Sequence, residues 1–142
     1  MNRIYCDTCV YLDLFEGRKD KFRDLADFAL NVFNHVKDGK YELVVSDWVI
    51  DELKKYAAES KRPAIVKVMD DFLNQFKKQQ LVQIERTKDD EQEARKLSPA
   101  NYPDALHVVL AKKNNAIYLV TRNIQDFAEF RNLIEIVFPE SL

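Results

Sequence analysis

The apolar residues of this 142-residue chain change period again and again, and that switching constrains the fold more than any other feature. Runs that alternate like strands lie at 3–6, 41–46, 81–85, 116–121 and 134–138. Stretches with helical spacing lie between them, at 8–15, 21–37, 47–58, 63–78, 89–97 and 104–114, with a short turn near 124–130. Strands that alternate with helices predict a single-domain three-layer α/β/α sandwich over residues 1–142, with a mostly parallel central sheet. Punctuation agrees with this reading. Asp38-Gly39 suits a helix C-terminus, Ser46-Asp47 a helix start and Pro63 a first turn.

Only two glycines and four prolines occur, too few for long linkers between separate units. No apolar run approaches the roughly 20 residues that span a bilayer. The first residues lack the order of a secretory signal, so the expected location is the cytoplasm, away from any membrane. Cys6 and Cys9 form a CxxC without a second Cys or His pair, and Cys6 falls within a strand. Two reduced, mostly buried thiols are expected. With 22 basic and 24 acidic residues the chain carries a net charge of −2, unlike a protein that binds nucleic acid through phosphate neutralisation alone. An enzyme whose acids are masked by divalent cations escapes that objection.

Open parallel sheets bind ligands beyond the carboxyl ends of their strands. Asp7 ends the first strand and Ser46 the second. Glu52 lies on the border of the apolar face of the following helix, whereas Asp51 points away from it. Asn123 and Asp126 follow the fourth strand, and Asp104 opens the helix that leads into it. Taken singly, each acid has an ordinary use. Asp7 suits an N-cap, Asp104 a helix N-terminus, Asp126 a turn cap and Glu52 a solvated face. Converging, they would repel one another unless cations lay between them, and carboxylates suit hard ions such as Mg²⁺ or Mn²⁺. Such ions support phosphodiester hydrolysis without a protein nucleophile. His107, one turn after Asp104, reads as a helix-packing residue, with a role near the metal as the alternative, and His35 as a surface residue or a helix-dipole partner.

The segments "YCDTCVYLDLF", "VVSDWVIDEL" and "NYPDALHVVLAKKNNAIYLVTRNIQDF" resemble, in order, a PIN domain, most closely a VapC-type toxin of a type II toxin–antitoxin system. The resemblance implies a metal-dependent ribonuclease that cuts RNA, commonly tRNA or rRNA, is neutralised by a cognate antitoxin and usually forms a homodimer. The family's metal-binding acids map onto Asp7, Glu52, Asp104 and Asp126, with Thr8 as the polar residue after the first of them. Asn123 stands where an Asp or an Asn follows Thr-Arg. Arg122 is the base placed to hold an RNA phosphate. Phe15, Phe22, Leu25 and Phe28 are candidates for the dimer face, and most suit the core equally well. A haloacid-dehalogenase site would need an acid where Cys9 stands, and a receiver domain needs an acceptor Asp that the third strand lacks. A catalytically silent scaffold that binds RNA or protein is the remaining alternative.

Overall fold

The computed structural model describes residues 1–142. Its five strands are β1 (Arg3–Cys6), β2 (Glu42–Ser46), β3 (Leu81–Ile84), β4 (Ala116–Val120) and β5 (Glu135–Val137). Six α-helices connect them: α1 (Thr8–Phe15), α2 (Leu25–Lys37), α3 (Asp47–Glu59), α4 (Ala64–Leu73), α5 (Lys88–Leu97) and α6 (Tyr102–Lys113). Short 3₁₀ helices cover Lys78–Gln80, Ile124–Phe130 and Pro139–Ser141.

The strands form one sheet in the order β3-β2-β1-β4-β5, and every neighbouring pair is parallel. The fold is therefore the expected α/β/α sandwich. Right-handed crossovers place α1–α4, which pack on one another, on one face and the packed pair α5–α6 on the other. The order reverses at β1, so the crevice between β1 and β4 is a topological switch point. Ile4, Tyr5 and Cys6 of this central strand are wholly buried. Covering both faces of a sheet leaves no polar side to its inner strands.

Local chemistry sets the helix ends. The Asp24 side chain accepts from the Asp27 amide, so α2 starts at Leu25, four residues later than its apolar spacing predicts. Asp38 closes α2, and Gly39 takes the left-handed φ of +84° that the turn needs. The helix expected over 63–78 stops at Leu73. Beyond it the Gln80 side chain accepts from the Lys77 amide and donates to the Lys37 carbonyl, which turns the chain into β3. In α6 every residue from Ala105 to Ala111 is buried, as expected for a helix covered on all sides.

On the α1–α4 face the core is aromatic. Phe72 lies 4.9 Å from Phe33, 5.3 Å from Phe15 and 5.1 Å from Phe76 between ring centroids, each pair close to perpendicular. Edge-to-face pairs of this kind add to the gain from area burial. Two of the residues expected at a dimer face are used here instead: Phe15 stacks on Phe72, and Leu25 is buried. Phe28 is half-buried, and Phe22 alone stands free at 86% exposure. Cys6 and Cys9 are free thiols, and burial pushes both well above the ordinary thiol range. No helix is long and apolar enough to cross a membrane.

Candidate active site

The Asp7 amide donates to the Val120 carbonyl at 2.9 Å, which continues the β1–β4 ladder one residue past β1. The peptide is held at the switch point before its side chain does anything. That side chain caps α1, as one ordinary reading of the sequence expects, with Oδ1 accepting from the Thr8 amide at 2.8 Å. Oδ2 accepts from the Thr121 hydroxyl at 2.9 Å and from the Cys9 thiol at 3.3 Å. Capping and membership of an acidic site are therefore compatible, because a carboxylate has about four lone-pair sites.

Glu52 leans from α3 toward the same edge. Its Oε1 accepts from the Thr8 hydroxyl and from His107 Nε2, both at 2.6 Å, while Oε2 has no protein partner. Asp51, the outward neighbour, pairs with Arg86 at 2.7 Å instead. Asp7, Glu52 and His107 offer ligand atoms that all lie within 4.8 Å of one another. His107 is thus more than the packing residue its sequence position suggests. It is wholly buried, approaches Asp7 at 3.5 Å through Nε2, and meets the Tyr5 hydroxyl at 2.7 Å through Nδ1. That hydroxyl also bonds Ser46 Oγ at 2.7 Å, and Ser46 caps α3 by accepting from the Val49 amide. Ser46 therefore supports the site from a distance, through Tyr5 and His107. A phenol buried in a central strand needs a polar partner, and that is the sequence signal that leads to His107.

Asp104 and Asp126 lie outside the tight group, but their charges reach it. Burial raises the Asp104 carboxyl to about 6, with Asp7, Asp126 and Glu52 pushing the same way and His107 opposing them. Burial also works to raise Glu52, but the hydrogen bond and charge of His107, with help from Thr8, outweigh it and lower the carboxyl. For His107, burial favours the neutral ring. The hydrogen bond and charge of Glu52, then Asp7 and Asp104, overcome this and raise it. Asp126 is exposed, on the 3₁₀ helix after β4.

Arg122, the base expected to hold an RNA phosphate, is partly engaged within the protein. Its Nε donates to both oxygens of Asp13, at 3.0 and 2.8 Å, and Nη1 donates to Asn123. Asp13 is 1% exposed and also lies 3.5 Å from Arg18. A lone acid between Leu12 and Leu14 in an apolar helix was the visible hint of this pair. Nη2 of Arg122 has no protein acceptor.

Three carboxylates, Glu52, Asp7 and Asp104, act on one buried imidazole here, and burial together with the charge of its acidic neighbours raises Asp104. A donor set of hard carboxylate oxygens with an excess of negative charge fits a divalent cation. Sequence comparison points the same way: the family model describing a PIN domain matches residues 3–125. The chain belongs to the PIN-domain family. Two solved structures share this PIN fold. The crystal structure of VapBC2 from Rickettsia felis, bound to a DNA fragment from their promoter, is similar at 21% identity and a TM-score of 0.66, over 96% of this chain and 98% of that one. A toxin–antitoxin complex from Klebsiella pneumoniae is similar at 20% identity and a TM-score of 0.63, over 96% and 97%. A search of curated proteins finds no match.

Two expectations follow from this PIN-domain site. Tyr5→Phe removes the hydroxyl shared by Ser46 and His107 and leaves a buried ring nitrogen unpaired. It should cost about 1–3 kcal/mol in urea unfolding. In EDTA, stability should fall as pH rises toward and through about 6. Asp104 and His107 both have raised folded values, so each stabilises while protonated, and that contribution is lost as pH rises through the folded value. The lowered Glu52 acts in the opposite direction, but only in more acidic solution. Thermal melts across the range check the sign.

Proposed function

We propose that this chain is a metal-dependent endoribonuclease that hydrolyses RNA phosphodiester bonds as the VapC-type toxin of a toxin–antitoxin pair. The observation that carries this reading is the acid cluster at the switch point, with Glu52 fixed by Thr8 and His107 and Asp104 raised by burial and by its acidic neighbours. Asp7, Asp104 and Asp126 would hold the cation, and Glu52 would either join them or orient the attacking water. Mg²⁺ or Mn²⁺, when bound, supplies Lewis acidity and lowers the pKa of a coordinated water.

The protein's own part is to position and to neutralise. Both hydrogen bonds to Glu52 fall on Oε1, so Oε2 is left to accept from water. His107 stops the Glu52 carboxylate from rotating, and Tyr5 with Ser46 stops His107 from doing so. The attacking water oxygen bonds phosphorus in line with the departing sugar oxygen, its proton passes to an acceptor such as Oε2, and the sugar oxygen leaves as a hydroxyl with a proton from solvent.

An antitoxin partner is supported by the two similar structures, which are a VapBC2 assembly and a toxin–antitoxin complex. Phe22, exposed at 86%, is the apolar residue best placed for a homodimer contact.

Cleavage of mixed tRNA and rRNA with Mg²⁺ or Mn²⁺, against an EDTA control, tests the reading. Cutting that depends on the metal is the expected result. A protein that cuts no RNA under any of these conditions is better read as a silent scaffold. The metal should also raise the melting temperature at neutral pH, because binding to the folded state alone stabilises it.

A further inference from the structure

The acids need RNA to approach a chain of net negative charge, so the arginines that flank them matter. On the α3 side Arg86 is surrounded by Asp47, Asp51 and Glu91, at 3.4, 2.7 and 3.8 Å, and has no charge to spare. The other flank differs. A cleft of about 410 Å³ begins at Asp126 and is lined by Arg23, Arg122, Asn123, Gln125 and Phe138.

Arg23 is held there in an unusual way. Its guanidinium carbon lies 5.2 Å from the centroid of the Phe138 ring and 5.8 Å from that of Phe28, between two aromatic residues. Its Nε is buried without an acceptor, and its only side-chain partner is Glu140. A guanidinium fixed between rings has already lost the freedom that an anion would otherwise have to remove. Glu140 shows that an anion fits against it. Arg122 adds the free Nη2, and the Asn123 and Gln125 amides supply further polar groups. Phe138 is 37% exposed, an aromatic surface on which a base can stack.

We propose that this cleft binds the nucleotide flanking the scissile bond, with Arg23 and Arg122 on its phosphate and Phe138 against its base. This assignment rests on the ribonuclease reading above. Glu140 competes with the phosphate for Arg23 in the free protein.

The test is fluorescence anisotropy with a fluorescein-labelled hexaribonucleotide of mixed sequence, in Ca²⁺, across a salt series. Arg23→Gln should weaken binding about tenfold, the loss of a charge-assisted contact. It should also flatten the slope of log K against log salt by about 0.7. Arg23→Lys should keep the slope with weaker binding, because the charge stays while the fork is lost. Glu140→Gln should tighten binding, an outcome that misfolding cannot imitate. Wild-type affinity and slope in Arg23→Gln, no tightening in Glu140→Gln, or no binding by the wild type would each overturn the proposal. Cleavage with Mg²⁺, run in parallel, separates the two ideas. Binding through Arg23 without cleavage sinks the nuclease reading and leaves the cleft standing. Cleavage with a KM unmoved by Arg23→Gln does the reverse.

Discussion

Asp7→Asn is expected to reduce RNA cleavage about 1,000-fold, the equivalent of several kcal/mol of charge stabilisation in the transition state. The fold should survive. Asn caps helices as well as Asp does, and the backbone bond from residue 7 to Val120 does not depend on the side chain. A second readout gives the prediction its force. Asp7 is the charge that contributes most to raising Asp104, after burial itself. Removing it should let Asp104 titrate below its present value of about 6, which NMR can follow in the metal-free protein. Stability in EDTA at neutral pH should rise as the repulsion is relieved. Activity and stability would thus move in opposite directions. If both fell together, Asp7 would be holding the fold through Thr121 and Cys9, and the lost activity would follow from that damage.

Phe72→Ala is expected to have the largest effect on stability, about 3–5 kcal/mol. For a chain of this size that corresponds to a fall of about 10–15 °C in Tm. The ring has three near-perpendicular partners at about 5 Å, and the small residue cannot fill the space it leaves. Phe72 lies on the α1–α4 face of the sheet and His107 on the other, so cleavage well below the new Tm should match wild type. Phe22→Ser, at a position exposed in the single chain, should shift stability by no more than about 0.5 kcal/mol in dilute protein, and by more at concentrations where a homodimer forms. A fall of several degrees there would mean that Phe22 is covered in solution, as a homodimer would require.

The strands were legible because a parallel sheet covered on both faces makes its inner strands short apolar runs bounded by polar or turn residues, and all five lie within a residue of where those runs fall. The end of α4 was not, since apolar spacing continues through Phe76, which is buried although it lies beyond the helix. In the site, Asp7 and Glu52 were readable from strand ends and helix angle, both of which are local properties. The link from Tyr5 through His107 to Glu52 joins residues up to 102 positions apart, and the Asp13–Arg122 pair joins residues 109 apart. No local pattern encodes such pairings. A buried phenol, and a lone acid on an apolar helix, were the only signs that partners existed.

The position of β1 at the centre of the sheet bears on how the chain emerges from the ribosome. The first strand made is paired on one side by β2 but on the other only by β4, which begins at Ala116. The Asp7 amide waits for Val120, its carboxylate for Thr121, and Glu52 for His107. Until these late residues arrive, a nascent chain has the first acid without the scaffold that aims it. Contacts so distant in sequence also form slowly, after the costs of loop closure have been met. A product that stops before β4 therefore lacks the partners that hold Asp7, and the proposed activity would require the chain to extend through Thr121.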